Sequence, residues 1–393
     1  MNTSHLEERK LTVKRRGHGE GTIYRRQDGR WVASITLETG RRKTFYGKTR
    51  KEVQEKLKIA LREQQQGTLV TAPQQTVKQF LDDWLENSHK QNVRPRSHER
   101  YEQIVRLHII PYIGKVQLQK LAPQQLKKLY ADKLKEGLSA ITVTATHNLL
   151  HRALDDAVKW DLLARNVCDR VSPPRKEHRE ITPLTVEQIH QLLEAARGHP
   201  QEALFVLALH TGLRRGELLG LKWQDISFTD GTLQVRRILN RVPTKMVKEV
   251  GQRYIETEPK TKKSRRNIFL TETAIGALKQ HKSRQLEARL KAGAAWENHD
   301  YVFCTPLGRH LTPGHDALVQ LKKLLVRAGL PAIRFHDLRH SSASLLLSLG
   351  VHPKIVQEIL GHTQISMTMD IYSHALPTMQ KEAMEKLNRK LQQ

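Results

Sequence analysis

Five residues in the second half of the chain have the types and spacing of a phosphodiester-cleaving site, and a sixth, Lys260, stands between them in a basic run. Arg214 lies in Thr211-Gly212-Leu213-Arg214-Arg215-Gly216-Glu217-Leu218. His336 and Arg339 lie in His336-Asp337-Leu338-Arg339-His340, His362 follows Leu360-Gly361, and Tyr372 comes ten residues after His362. Lys260 heads a basic run, Lys260-Thr261-Lys262-Lys263-Ser264-Arg265-Arg266. A phosphodiester resists attack because its oxygens repel nucleophiles, and enzymes supply roughly 8–23 kcal/mol to lower such barriers. Metal ions are one source of that stabilisation, but the sequence offers no acidic cluster to hold them. Guanidinium groups are another, since they stay charged and bind paired oxygens through a planar fork. Arg214 and Arg339 fit that role, the two histidines can donate or move protons, and a tyrosine can serve as nucleophile. His336 and His340 stand one helical turn apart, yet the Glu of a His-Glu-x-x-His zinc site is missing and Arg339 would repel a metal.

Composition names the phosphodiester. The 393 residues carry a formal net charge of +27, which calls for a polyanionic partner and is spread through segments with folded patterning. Double-stranded DNA is the expected ligand. The chain lacks a stretch of apolar residues long enough to span a membrane, and Met1 to Arg16 has no apolar core of a secretory signal. The two cysteines, Cys168 and Cys304, form neither a disulfide framework nor a Cys-x-x-Cys metal motif. A cytoplasmic location follows, and no cofactor or metal is expected.

The elements that must position the six residues read as a mainly α chain with small β elements. Residues 1–66 hold 17 Lys/Arg against 8 Asp/Glu. Strands over Gly21–Arg25, Trp31–Leu37 and Arg42–Tyr46 are expected, with Asp28-Gly29 as the first hairpin turn and Thr49 with Glu52 opening a helix. Arg25, Arg41, Arg42 and Lys43 are its candidate DNA contacts. Residues 76–170 read as four helices, with a break expected at Pro111-Tyr112-Ile113-Gly114 and stops at Gly137 and beyond Trp160. His147 and His151, four apart on a helix, are expected to be solvated or to face phosphate. Pro173 and Pro174 keep the following linker extended, with Arg175 as a strap on the DNA backbone. The last segment runs from about 180 to 393. Thr185 and Gln188 form a capping-box pattern there, and a strand hairpin between Leu233 and Leu270 carries the basic turn with Lys262, Lys263 and Arg265. Glu217 is expected to pair with a nearby cation and not to act as a base.

These strings, in this order, resemble the tyrosine recombinase (phage integrase) family, whose signature is Arg, Lys, His-x-x-Arg, His and Tyr. The likeness is strongest over residues 180–380 and extends more weakly to 20–170. It implies three domains: an arm-type DNA-binding module at 1–66 built from a three-stranded sheet and a helix, a helical SAM-like core-binding domain at 76–170, and a mixed α/β catalytic domain with a C-terminal tail at 180–393. It also implies residue roles: Arg214, not Arg215, and Arg339 on the phosphate, His336 and His362 beside it, Tyr372 as nucleophile, and Lys260 protonating the leaving 5′ oxygen, with Lys262 as the alternative. The expected activity is site-specific integration and excision of a phage or mobile element through a 3′-phosphotyrosine and a Holliday junction, in a homotetramer on attachment-site DNA. An excisionase and a host DNA-bending protein are the accessory partners this would call on, in a prokaryotic nucleoid. The same chemistry would serve a type IB topoisomerase, and a DNA-binding regulator could keep the fold without it. The arm-like module and the complete residue set favour the recombinase.

Overall fold

The computed structural model describes residues 21–37, 40, 42–65, 69, 74–175, 182–259, 264–312, 315–369, 384–385 and 387–392. Arg41, Lys260, Lys262, Lys263 and Tyr372 lie outside the described residues, as do most of the C-terminal tail and the segment 176–181. The chain divides into two compact units, Met1–His178 and Arg179–Gln393.

The first unit opens with β1 (Thr22–Arg25), β2 (Trp31–Thr36) and β3 (Arg42–Gly47), an antiparallel sheet in sequence order. Asp28 and Gly29 make the first turn, as the sequence predicts. Gly29 sits at φ +82°, and the Asp28 carboxylate accepts the Arg30 backbone N–H at 3.1 Å. Alternation along β2 turns Ala33 and Ile35 toward α1 (Arg50–Gln65), where they pack on Val53, Leu57 and Ala60. Thr49 caps that helix by accepting from Glu52 N at 3.2 Å.

A separate core holds the helices that follow: α2 (Val77–Asp83), α3 (Pro95–Ile104), α4 (Ile110–Ile113), α5 (Pro123–Lys135) and α6 (Ala140–Lys159). Trp84, Phe80, Leu126, Leu150 and Leu154 fill it, and the buried Trp84 indole donates to Asp156 Oδ2 at 2.9 Å. The break expected over residues 111–114 falls at Gly114, the C-cap of α4, and not at Pro111. A π-helical stretch, Val105–Ile109, leads directly into α4 with Pro111 in its first turn. Wider winding just before the proline absorbs the missing N–H and the ring's bulk, so the chain stays helical.

The second unit is built around α8 (Glu202–Thr211), whose residues Ala203 to Leu209 are all buried. It is flanked in sequence by α7 (Val186–Ala196) and the short α9 (Arg215–Leu219). Five short strands follow: β4 (Ile226–Ser227), β5 (Thr232–Gln234), β6 (Ile238–Arg241), β7 (Tyr254–Thr257) and β8 (Asn267–Phe269). They pair as β4-β5-β8 and β6-β7, with α10 (Val247–Val250) between β6 and β7. Then come α11 (Glu272–Ala292), α12 (Asp316–Arg327), α13 (Phe335–Ser348) and α14 (Pro353–Leu360). Leu192, Leu278, Leu321, Leu324, Phe335 and Leu338 converge on α8, which therefore acts as the axle of the unit. Helices predominate and the sheets stay small, as the sequence predicts.

Candidate active site

The site forms where the buried helix α8 ends. Gly212 takes the left-handed conformation, φ +58°, and stops the helix. Only glycine suits this place, because a Cβ here would lie 2.3 Å from Leu360 Cδ2. The chain leaves extended, so Arg214 becomes the N-cap of α9. Glu217, three residues on, accepts the Arg214 backbone N–H at 3.1 Å and its Nη1 at 2.9 Å. Arg214 Nη2 donates to the Gly361 carbonyl at 2.9 Å.

Arg339 arrives from α13 and is 3 % exposed. Its Nη1 donates to the Gly212 carbonyl at 2.7 Å. Its Nη2 is buried and has no acceptor among the described residues. Leaving a charged donor unpaired inside a protein costs on the order of 1–3 kcal/mol or more, so this nitrogen is fitted to a ligand oxygen. Burial and then Arg214 pull the Arg339 pKa down to about 9, and it remains charged at neutral pH.

His336, on the same helix, is exposed, with its ring edge-on to His340 at 5.0 Å between centroids. The crowding protein around it, with His340, Arg339 and Arg214, pushes its pKa down to about 4. His362 is 6 % exposed and follows Gly361, which closes α14 at φ +67°. Its Nδ1 meets the Thr368 hydroxyl at 2.9 Å. Burial, followed by the charges of Arg339 and Arg214, pushes His362 down to about 3. Both histidines are therefore neutral near pH 7 and can accept or donate through a free ring nitrogen. Arg214 and Arg339 both act on His336 and on His362, which places the four in one electrostatic neighbourhood.

Two more residues belong to this network. Glu217, with its side chain wholly buried, also takes Arg266 Nη2 at 3.0 Å. Burial raises the Glu217 pKa, but Arg266 and Arg214 outweigh it and hold the carboxyl below its ordinary value. The expected pairing of Glu217 with a cation is thus realised twice. Arg266 escaped the sequence reading because it ends a basic run that resembles a strap along a backbone. Its parity with the buried Ile268 was the available signal, since residues two apart on a strand share a face. Thr368 carried no signal at all. The result is three guanidinium groups near one carboxylate, a net positive site suited to an oxyanion.

The candidate DNA contacts are scattered. In the sheet register Arg42 pairs with Thr36, on the face that carries the exposed Tyr24 and Tyr46. Lys43 pairs with Ile35 and Arg25 with Trp31, on the face toward α1. Arg25 donates to the Gly29 carbonyl at 3.2 Å, and Lys43 lies 5.9 Å from the Phe45 ring centroid. Arg175 is exposed, and Arg265 is held by Glu258 at 2.6 Å. His147 is not solvated: it is buried, with Nδ1 2.9 Å from the Tyr130 hydroxyl. His151 bridges Asp155 at 3.0 Å and Asp169 at 2.9 Å. These three are the described group with metal-ligand geometry, and both ring nitrogens are already engaged by the carboxylates.

Comparison with known proteins agrees with this picture. Residues 182–379 match the model of the phage integrase family, and residues 76–134 match the N-terminal SAM-like domain of phage integrases. A tyrosine recombinase XerC-like protein of Caldanaerobacter subterraneus subsp. tengcongensis is 36% identical over 92% of this chain and 97% of its own length. An integrase of Streptomyces ambofaciens is 32% identical over 92% of this chain and 93% of its own. Among solved structures, the Tn1549 transposon integrase in complex with transposon right end DNA superposes with a TM-score of 0.68 at 23% identity, covering 80% of this chain and 100% of that one. A lambda integrase tetramer bound to a Holliday junction gives 0.54 at 19% identity, covering 91% and 96%. With its second unit matched almost end to end and a relative of this identity along nearly its whole length, the chain belongs to the phage integrase family of tyrosine recombinases.

Proposed function

We propose that this recombinase cuts and rejoins attachment-site DNA with Tyr372 as nucleophile. The Tyr372 oxygen attacks phosphorus while Arg214 and Arg339 hold the non-bridging oxygens. The phenol proton passes to His336, which is neutral and able to take it, and His362 donates a hydrogen bond to the phosphate. The P–O5′ bond breaks, Lys260 gives its proton to the departing oxygen, and a 3′-phosphotyrosine remains. The covalent link conserves the bond's energy, so a 5′-hydroxyl from the partner duplex can reverse the step without ATP. Two such rounds pass through a Holliday junction.

The observation that carries this reading is the unmatched Arg339 Nη2 beside two further guanidinium groups, Arg214 and Arg266, and one carboxylate. The relatives support the assembly proposed: the lambda integrase structure is a tetramer on a Holliday junction, and the Tn1549 integrase is held on transposon DNA. In this reading four copies act together, residues 76–170 and 180–393 clamp the crossover site, and residues 1–66 bind arm sites through the face bearing Arg42. Excisionase and a host DNA-bending protein would set direction, in the nucleoid of a prokaryotic cytoplasm.

A covalent-trap experiment tests it. The protein and Tyr372→Phe are mixed, without divalent metal, with nicked duplexes carrying the junctions that flank the gene, and run on a denaturing gel. An adduct with the parent protein and none with the variant is expected. Tight binding with no adduct on any junction would sink the catalytic reading and favour a regulator.

A further inference from the structure

Arg266 spends its donors on the protein itself. Its side chain is 7 % exposed and faces a carboxylate that is fully buried. Nη2 reaches Glu217 Oε2 at 3.0 Å, Nε reaches the Ile359 carbonyl at 2.6 Å, and Nη1 reaches the Ser264 carbonyl at 3.2 Å. The guanidinium also lies against Gly361, where a Cβ would come within 2.8 Å of Nη1. Arg214 is tied to the same two anchors, Glu217 on α9 and the carbonyl end of α14. The last carbonyls of a helix carry partial negative charge and favour cations. Together with Glu217 they form a negative seat that holds two guanidinium groups side by side and fixes the turn bearing His362.

We propose that Arg266 is a positioning residue for DNA cleavage: by bracing Glu217 and the end of α14 it sets the fork of Arg214 and the turn that presents His362. This rests on the reading of Arg214 and His362 as phosphate-binding groups. Arg266 acts through them without touching the DNA. If it is lost, Glu217 is held from the Arg214 side alone and the Ile359 carbonyl loses its charged partner, so Arg214 and His362 lose their common reference. DNA affinity, spread over many phosphates, changes little, whereas the chemical step is sensitive to displacements of about 1 Å, which cost on the order of 100-fold.

The test measures the rate constant of covalent adduct formation on nicked duplex at saturating DNA for the full chain, Arg266→Gln, Arg266→Lys and Arg214→Gln. Arg266→Gln is expected to be on the order of 100-fold slower with an unchanged DNA half-saturation, and Arg266→Lys to recover part of the loss by keeping the Glu217 pair. A second substrate carries a methylphosphonate at the scissile position, which removes the negative charge the Arg214 fork must hold. On it the penalty of Arg266→Gln should shrink, a readout that a purely structural role would not move. Because a buried carboxylate left with Arg214 as its one charged partner can destabilise the protein, the neutral pair Glu217→Gln/Arg266→Gln is measured beside it. It is expected to fold, by near-ultraviolet circular dichroism, and still to cleave the phosphodiester slowly. Parental rates in a folded Arg266→Gln protein, or equal losses on both substrates, would overturn the inference. If Arg214→Gln also cleaved at the parental rate, the phosphate-clamp reading itself would fall.

Discussion

At the scale of the residue, the site stabilises a charge it does not yet hold. Arg339 has one nitrogen satisfied by Gly212 and one without an acceptor among the described residues. Removing a preorganised donor of this kind costs roughly 10²–10³ in the chemical rate. Arg339→Lys keeps a charge but not the fork, and single-turnover cleavage by it should fall by about that factor; a loss under tenfold would argue against the fork. The histidines make a second claim. Folding depresses His336 to about 4 and His362 to about 3, while an unfolded histidine titrates near 6.5. The unfolded chain thus binds more protons between these values, so their contribution to stability is whole above about pH 6.5 and drains away as pH falls toward 4. The melting temperature should drop across that window, and drop less steeply for His362→Asn. Identical slopes for the two proteins would show that His362 is not the group responsible. Arg214, His336, Arg339 and His362 were legible because each sits in a long distinctive string. Arg266 was not, because the five basic residues of the run Lys260 to Arg266 read alike until strand parity separates the inward one from Arg265, which Glu258 holds at the surface.

At the scale of the element, helix ends do the positioning. Gly212 ends α8, Arg214 starts α9, and Gly361 ends α14, so three termini meet and their unpaired backbone groups serve the side chains between them. Gly212→Ala puts a Cβ at positive φ and against Leu360. It should destabilise the protein by about 1–3 kcal/mol, read from the urea midpoint, and misplace the carbonyl that holds Arg339. A change below about 0.5 kcal/mol, typical of an indifferent surface site, would refute the steric argument. Local chemistry made several boundaries readable in advance. Thr185 and Gln188 form the reciprocal cap expected of them, at 3.2 and 3.1 Å, and Asp28-Gly29 turns the first hairpin. Pro111 misled because its effect is decided by the preceding turn: once Val105–Ile109 widens into a π-helix, the proline is at a helix start and not in its middle. The burial of His147 was likewise hidden, since its partner Tyr130 lies on another helix.

At the scale of the whole molecule, separate cores permit separate tasks. The sheet-and-helix module and the helical bundle of the first unit share no core cluster. Deleting residues 1–66 should therefore leave adduct formation on an isolated core site near the parental level, while integration of a long attachment site in a plasmid assay falls at least tenfold, the scale of one lost DNA-binding contact set. Equal integration by the truncated protein would remove the arm-binding role. The net charge of +27 gave the ligand class early, but charge speaks to partners and not to which face meets them. Of the nominated residues that are described in the sheet, Arg42 alone shares the face with Tyr24 and Tyr46, a distinction that only the strand register makes.

The crowding of Arg214, Arg266 and Arg339 about a single carboxylate also makes the empty protein a thermometer for anions. Three like charges held near one opposite charge repel one another, and any tetrahedral oxyanion that settles among them relieves that repulsion in the folded state alone. Ligands of the native state raise its stability in proportion to the logarithm of their concentration, about 2.7 kcal/mol at one hundred times the dissociation constant. Sulfate or phosphate in a buffer is therefore expected to raise the melting temperature of this molecule, and to raise it less in Arg339→Gln.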